Sequence, residues 1–172
     1  AILSRGLGDV YKRQALGCAV VVAAAGGFLL LNFPPARLFM GDTGSTVLGL
    51  LAGVVILTAH RKAILPVWLG ILVFSPFIID ASVTISRRLL RGEKFWQAHK
   101  SHYYQRLVEA GWGHRRTVLA EYVLMIACSA SAVAAASQPL AWQTTIIAGW
   151  AVIYTAIIYA INRVEQRREP LA

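Results

Sequence analysis

The sequence predicts an all-α protein, a polytopic transmembrane helix bundle with about five spanning helices. Three observations support this fold class. Hydrophobic residues make up 57% of the 172 residues, and the mean hydropathy is +0.58. Long apolar runs alternate with short basic stretches, whereas a soluble domain intersperses charges along amphipathic elements. Three of the apolar runs reach the roughly 20 residues that a helix needs to cross a bilayer.

The predicted spans are helices because a membrane segment must satisfy its own backbone hydrogen bonds. Pro66 and Pro76 should bend the third span, and neighbouring helices or water must then satisfy the freed carbonyls. Cys18 and Cys128 lie inside apolar runs, so no disulfide framework is expected. The five segments run roughly over residues 15–31, 43–59, 63–86, 117–137 and 141–161.

The first residues are interpreted separately from the fold. Residues 4–14, SRGLGDVYKRQ, resemble translated adapter sequence at the ends of some metagenomic contigs. Residues 1–14 are therefore predicted to be a non-native leader, and the natural protein is expected to begin further upstream. The alternative interpretation is an ordinary soluble N-terminal tail.

Basic residues predict the orientation of the bundle. Five crossings place the 32–45 loop, the 87–116 loop and the C-terminal tail on one side, and that side is predicted to be cytoplasmic. Beyond the leader, the opposite side carries only Arg61 and Lys62. In a membrane, the net charge of +9 favours anionic lipid and phosphorylated substrates over nucleic acid. The cytoplasmic side carries Arg37, Arg87, Arg88, Arg91, Lys94, Lys100, Arg106, Arg115, Arg116, Arg163, Arg167 and Arg168.

Asp42 is the first candidate site residue. It lies within GDTGS, residues 41–45, directly before the second predicted helix. Glycines and a helix N-terminus allow backbone N–H groups to approach an anion. A carboxylate there would suit Mg²⁺ shared with substrate phosphates. The alternative is that Asp42, Thr43 or Ser45 only caps the helix.

Asp80 is a second candidate because it lies within the third predicted span, near its cytoplasmic end. Ionisable residues within a membrane are costly, and they usually face the bundle interior and serve a function or pair with another group. The alternative is a carboxylate close enough to the interface to be solvated.

The 87–116 loop holds the third group of candidates. His99, His102 and Arg106 are spaced so that a helix would place all three on one face, and Gly111 should end that helix. Histidines and arginines together suit recognition of a diphosphate. A basic interfacial helix that binds anionic lipid headgroups is an equal alternative. A zinc site on H-x-x-H alone is weakly supported.

Two separate motifs carry a family resemblance over roughly residues 16–162. Residues 32–45, NFPPARLFMGDTGS, resemble the signature before a late helix in polyprenyl-phosphate N-acetylhexosamine-1-phosphate transferases. These enzymes form glycosyl transferase family 4, relatives of phospho-N-acetylmuramoyl-pentapeptide transferase. Residues 76–80, Arg87-Arg88, Gly92 and residues 98–107, AHKSHYYQRL, are similar to the family's last large cytoplasmic loop.

The resemblance implies an activity and a set of site residues. Such enzymes move a sugar 1-phosphate from a UDP-N-acetyl sugar to undecaprenyl phosphate and release UMP, with Mg²⁺ or alternatively Mn²⁺. Asp42 matches the family's magnesium ligand, and Asp42, His99 and His102 are the implied catalytic residues. The implied substrate-binding residues are Gly41, Gly44, Ser45, Asp80, Arg87, Arg88 and Arg106.

Two departures from the family pattern refine this expectation. The family's upstream aspartate pair and Asn/Asp-rich loop have no counterpart here, so residues 15–172 are predicted to be the C-terminal part of the transferase domain, inactive alone. The H-x-x-H motif replaces three consecutive histidines, which points away from the muramoyl-pentapeptide branch. It resembles the branch that starts O-antigen (part of lipopolysaccharide) or other envelope polysaccharides from UDP-GlcNAc or UDP-FucNAc-type donors.

The remaining expectations concern the location of the protein, its partners and its alternative functions. The resemblance implies a multi-pass protein of the bacterial inner membrane with a cytoplasmic active site. The expected partners are a UDP-N-acetyl sugar, undecaprenyl phosphate and membrane lipids, without nucleic acid; a homodimer is left open. The rival interpretations are a fragment of a membrane transporter and a non-catalytic membrane subunit.

Overall fold

The computed structural model describes residues 2–94, 97 and 101–166, with side chains from residue 12 to residue 165. Every regular element within these residues is helical, which confirms the all-α prediction. The helices are α1 (Ile2–Asn32), α2 (Gly41–Arg61), α3 (Val67–Val73), α4 (Ser75–Leu90), α5 (Tyr103–Leu107), α6 (His114–Ala135) and α7 (Leu140–Gln166), and a π-helical turn over Val108–Trp112 follows α5.

Within the described residues, four segments are long and apolar enough to cross a membrane, and α3 with α4 forms a fifth if the bent pair is one span. The predicted spans are therefore confirmed. Many large apolar side chains on these helices are exposed, and such a surface is typical of contact with lipid. The protein is a multi-pass membrane protein. The four unbroken segments are Lys12–Asn32, Gly41–Arg61, His114–Ala135 and Leu140–Glu165.

The chain forms two compact units, Ala1–Thr46 and Val47–Ala172. The first unit holds α1, the following loop and the start of α2. Its loop is tied to the end of α1, because the Asn32 side-chain amide donates to the Leu38 carbonyl at 2.8 Å. The Arg37 backbone N–H also donates to the Leu31 carbonyl at 2.8 Å.

The second unit has a small core between α3, α6 and α7. Small residues on α6 let the helices approach closely, as expected for helix packing in a membrane. Cys128 and Ala135 are fully buried there, and they face large side chains of α3 and α7. The core consists of Leu69, Leu72, Cys128, Ala132, Ala135, Trp150 and Tyr154.

The third span breaks between α3 and α4 with a bend of 75°. Pro76 lies in the first turn of α4, where its missing N–H would otherwise have bonded the Leu72 carbonyl. The Ser75 hydroxyl donates to that carbonyl at 2.6 Å. The Tyr154 hydroxyl of α7 lies 2.5 Å from the same serine oxygen. The freed carbonyl is thus satisfied within the protein.

The loop between α4 and α6 contains one correction to the sequence prediction. Helix α5 begins at Tyr103, and His102 precedes it with extended backbone (φ −66°, ψ 145°). His102 and Arg106 therefore do not share a helical face, and His99 lies outside the described residues. The expected stop at Gly111 is confirmed, because this residue leaves the helical region with φ 84°.

Candidate functional site

The first candidate group surrounds Asp42, in the unit Ala1–Thr46. Helix α2 begins at Gly41, so the exposed carboxylate of Asp42 stands in the first turn, where the helix dipole favours negative charge. The Ser45 hydroxyl donates to the Asp42 backbone carbonyl at 3.1 Å. A Cβ at Gly44 would clash with the Met40 Cγ. Glycine at that position therefore lets the methionine pack against the first turn.

The donor chemistry around Asp42 is compatible with magnesium. Mg²⁺ commonly takes one or two carboxylates and completes its shell with substrate phosphates and water. A single exposed carboxylate at a helix start fits that role as one ligand. Across residues 2–94, 97 and 101–166, no group of three or more His, Cys, Asp and Glu side chains is placed to hold a metal.

The second candidate group lies in the unit Val47–Ala172, where Asp80 joins α4 to the start of α5. The Asp80 Oδ1 accepts a hydrogen bond from the Tyr103 backbone N–H at 2.8 Å. The Asp80 Oδ2 lies 3.4 Å from the His102 Nδ1. The Thr84 hydroxyl, one turn along α4, donates to Oδ1 at 3.3 Å. One carboxylate therefore caps α5 and orients the histidine that precedes it.

The contact between Asp80 and His102 has a chemical consequence. A carboxylate beside Nδ1 helps to hold the imidazole in one orientation, as in other sites where a second residue positions a histidine. The two side chains keep 19% and 31% of their exposure, respectively, so the pair lies at the edge of solvent. The Tyr104 ring stacks on the imidazole with the ring centroids 5.9 Å apart. Both neighbours thus help to orient His102.

Two arginines enclose Tyr103, the first residue of α5. The Arg87 Nη1 donates to the Tyr103 hydroxyl at 2.8 Å. The Arg106 guanidinium carbon lies 4.6 Å from the centre of the same ring, a cation–π distance. Tyr103 is 6% exposed, so both contacts are made to a buried ring.

Helix α7 supplies acceptors for these two arginines. The Asn162 Oδ1 accepts from Arg87 Nη1 at 3.2 Å and from Arg106 Nη2 at 3.0 Å. Glu165 pairs with Arg106 through both carboxylate oxygens, and its Oε1 lies 2.5 Å from Arg106 Nε. The hydrogen bond to this carboxylate raises the pKa of Arg106 above its ordinary value. We call Arg87, Tyr103, Arg106, Asn162 and Glu165 the arginine clamp.

Arg88 holds the segment before α5. Only 8% of this residue is exposed. Its Nη2 donates to the Lys94 carbonyl at 2.9 Å, and its Nη1 donates to the Ser101 hydroxyl at 3.4 Å. Its Nε lies 3.5 Å from Glu93 Oε2, an ion-pair contact without a hydrogen bond. Arg88 therefore binds both ends of the loop between α4 and α5.

The structure brings together four of the candidates from the sequence, namely Asp80, Arg87, His102 and Arg106. Asp42 belongs to the other unit, and the position of His99 is not described. Sequence reasoning missed Asn162 and Glu165. Their spacing of three residues near the end of an apolar span would place them on one face of α7, and that spacing was the available signal.

The fold and the site define a class: a multi-pass helical membrane protein with a polar, arginine-rich cluster at one end of its second unit. Comparisons with known proteins then give the family. Residues 7–60 match the family model described as glycosyl transferase family 4. No solved structure matches the chain significantly.

Curated relatives agree with this match. A Bacillus subtilis protein named "Probable undecaprenyl-phosphate N-acetylglucosaminyl 1-phosphate transferase" is 34% identical over 145 residues, which cover 83% of this chain and 40% of that protein. A Moorella thermoacetica "Phospho-N-acetylmuramoyl-pentapeptide-transferase" is 36% identical over 100 residues, 58% of this chain and 30% of that protein. A Chlorobium luteolum protein of the same name is 29% identical over 116 residues, 65% of this chain and 31% of that protein.

The chain belongs to glycosyl transferase family 4, the family that its two sequence motifs resemble. It spans 30% to 40% of the length of these three relatives.

Proposed function

We propose that this protein transfers an N-acetylhexosamine 1-phosphate from a UDP-sugar to undecaprenyl phosphate. A phosphate oxygen of the lipid attacks the sugar-bearing β-phosphorus of the donor. The bond between that phosphorus and the oxygen bridging to the α-phosphate breaks, and UMP leaves. The products are a lipid-linked sugar diphosphate and UMP, so atoms and charge balance without another reactant.

One observation carries the proposal: the Asp80–His102 pair lies beside the arginine clamp in a chain of this family. Two anions must meet in the reaction, so positioning and charge neutralisation supply most of the catalysis. A histidine held by a carboxylate keeps its orientation while it contacts the diphosphate. The nearby guanidinium groups add positive potential at the same end of the unit.

Asp42 is proposed as a ligand of Mg²⁺, with Mn²⁺ as the alternative metal. When bound, the ion neutralises charge on the donor diphosphate. Gly41, Gly44 and Ser45 would contact the donor phosphates through the backbone N–H groups at the start of α2. His99 and His102 are proposed to contact the diphosphate, and Arg88 to keep the loop between α4 and α5 in place.

The donor and the location are also proposals. The name of the Bacillus subtilis relative points to an N-acetylglucosaminyl donor. The H-x-x-H motif agrees with that choice over a muramoyl-pentapeptide donor. Initiation of an envelope polysaccharide such as O-antigen follows from the same resemblance. Exposed basic residues after α4 and at the start of α6, Arg91, Arg115 and Arg116, favour a cytoplasmic position for these helix ends in a bacterial inner membrane.

The broken third span is a feature that many transporters share, and its surroundings argue against transport here. Transporters use such breaks to bind polar substrates and ions. Here the break is closed by buried Ser75, which bonds Leu72 and Tyr154. The adjoining groove of about 290 Å³ has an almost wholly apolar lining, which includes Leu69, Val73 and Phe74. Such a groove suits lipid rather than a polar solute.

An assay with purified protein in lipid vesicles separates the two functions. A full-length relative that carries the same residues is given UDP-N-acetylglucosamine, undecaprenyl phosphate and Mg²⁺. We expect UMP in the medium and a lipid-linked sugar diphosphate in the membrane. Uptake of the intact UDP-sugar into the vesicles without release of UMP would support a transporter and contradict the proposal.

A further inference from the structure

We infer that Asn162 and Glu165 on α7 are positioning residues for the active site and act through the arginine clamp. The inference rests on the proposed function, because His102 is the residue to be positioned. Helix α5 has five residues, and so short a helix is not stable by itself. Contacts with α4 and α7 must therefore hold it in place.

The contacts of Arg106 indicate how α7 holds this helix. The guanidinium group uses Nε and Nη2 on Glu165, and Nη2 also donates to Asn162. Its side chain is 14% exposed and that of Glu165 is 34% exposed, so the pair is partly shielded from water. A forked arginine–carboxylate pair fixes direction as well as distance. The Arg106 guanidinium group therefore binds side chains of α7 in this structure.

Asn162 of α7 also connects α4 to Arg106. Its single side-chain oxygen accepts from Arg87 of α4 and from Arg106 of α5. Arg87 in turn bonds the Tyr103 hydroxyl, and the backbone N–H of Tyr103 bonds Asp80. A continuous chain of contacts therefore runs from Glu165 to the carboxylate that orients His102. The end of the last span becomes part of the support of the site.

This role differs from that of a phosphate ligand. If Arg106 binds the diphosphate directly, removing the charge of Glu165 should free the guanidinium group and leave donor use unchanged or improved. If Arg106 acts through Glu165, the same change should let α5 move and slow the reaction. Glu165→Gln distinguishes these roles, because it removes the charge and preserves the shape of the side chain.

The kinetic test uses a full-length relative with the same five clamp residues. We expect Glu165→Gln and Arg106→Ala each to lower kcat by roughly ten- to hundredfold, the usual effect of one lost charge-assisted contact. The double variant should be no slower than the slower single variant, because both changes break one contact. The KM for the donor should change much less than kcat. Normal kcat in Glu165→Gln alongside a raised donor KM in Arg106→Ala would overturn the inference.

A matched control residue lies at the same end of α7. Arg163 is exposed, and its Nε donates to Tyr159 of its own helix at 2.7 Å. Arg163→Ala therefore removes a charge from the end of α7 without touching the clamp. Its kcat should equal that of the parent protein. A loss as large as that of Glu165→Gln would show that any charge change there disturbs the enzyme.

A second measurement does not depend on activity. Hydrogen–deuterium exchange of the 172-residue chain in lipid nanodiscs reports the opening of α5 directly. We expect the amides of Tyr103–Leu107 to exchange about tenfold faster or more in Glu165→Gln and at the parent rate in Arg163→Ala. Unchanged exchange in Glu165→Gln would contradict the inference that Glu165 holds α5 in place through Arg106. If exchange becomes faster in Glu165→Gln but the parent relative releases no UMP, the proposed function is wrong, while the role of the arginine clamp in holding α5 is supported.

Discussion

Replacing Asp80 with asparagine tests whether this carboxylate orients His102. The variant keeps an oxygen that can accept from the Tyr103 N–H, now 2.8 Å away, so the cap of α5 should survive. The second oxygen, 3.4 Å from His102 Nδ1, becomes an amide nitrogen that donates hydrogen bonds. The carboxylate contact that orients the histidine is then lost.

The expected cost follows from these contacts. One charge-assisted contact contributes about 1.5–3 kcal/mol, which corresponds to roughly a ten- to hundredfold decrease in kcat. The fold should persist in Asp80→Asn. Asp80→Ala also leaves the buried Tyr103 N–H without its acceptor, and this should cost roughly another 1–3 kcal/mol of stability.

The assay is steady-state UMP release by a full-length relative that carries these residues, with each substrate varied in turn. Folding is checked by circular dichroism and thermal unfolding. Glu109→Gln is the matched control, because Glu109 is an exposed carboxylate in the π-helical turn after α5. It should react at the parent rate. Parent-like kcat in a folded Asp80→Asn variant would refute the orienting role of Asp80.

Two further predictions concern other parts of the chain. In the same relative, Asp42→Asn should nearly abolish UMP release while the thermal stability is retained, because asparagine caps a helix about as well as aspartate; near-normal turnover would leave Asp42 as a helix cap only. Tyr154→Phe should destabilise the 172-residue chain by about 1–3 kcal/mol, measured by unfolding in detergent, because the hydroxyl lies 2.5 Å from the buried Ser75 oxygen. Unchanged stability would show that this contact does not support the bend.

The helices that cross the membrane were predictable from sequence because hydropathy alone decides which segments enter lipid. The bend of the third span at Pro76 was also predictable, since proline removes a helical hydrogen bond; Pro66, by contrast, precedes α3 and bends no helix. The contacts that satisfy the polar groups at the bend were not predictable. Tyr154 lies 79 residues after Ser75, and nothing in the local sequence links them.

The candidate site shows the same division between local and distant causes. Residue types and motifs pointed to Asp80, His102 and the arginines. The start of α5 was misplaced because His102 is its cap residue: the Gln105 Oε1 accepts from the His102 backbone N–H at 3.3 Å, and Asp80, 23 residues before Tyr103, accepts from the Tyr103 N–H. The spacing of His102 and Arg106 suggested one helical face, but a cap residue lies outside the helical pattern. Glu165 was missed because its partner lies 59 residues earlier.

The central claim is transfer of a sugar 1-phosphate to a lipid phosphate. The most direct measurement identifies both products of a full-length relative that carries these residues, by mass spectrometry of the nucleotide and of the lipid. The proposal predicts UMP and undecaprenyl diphosphate sugar in equal amounts, with no turnover after chelation of the metal and recovery on addition of Mg²⁺. Release of UDP with a lipid monophosphate sugar would show transfer of the sugar alone and contradict the account.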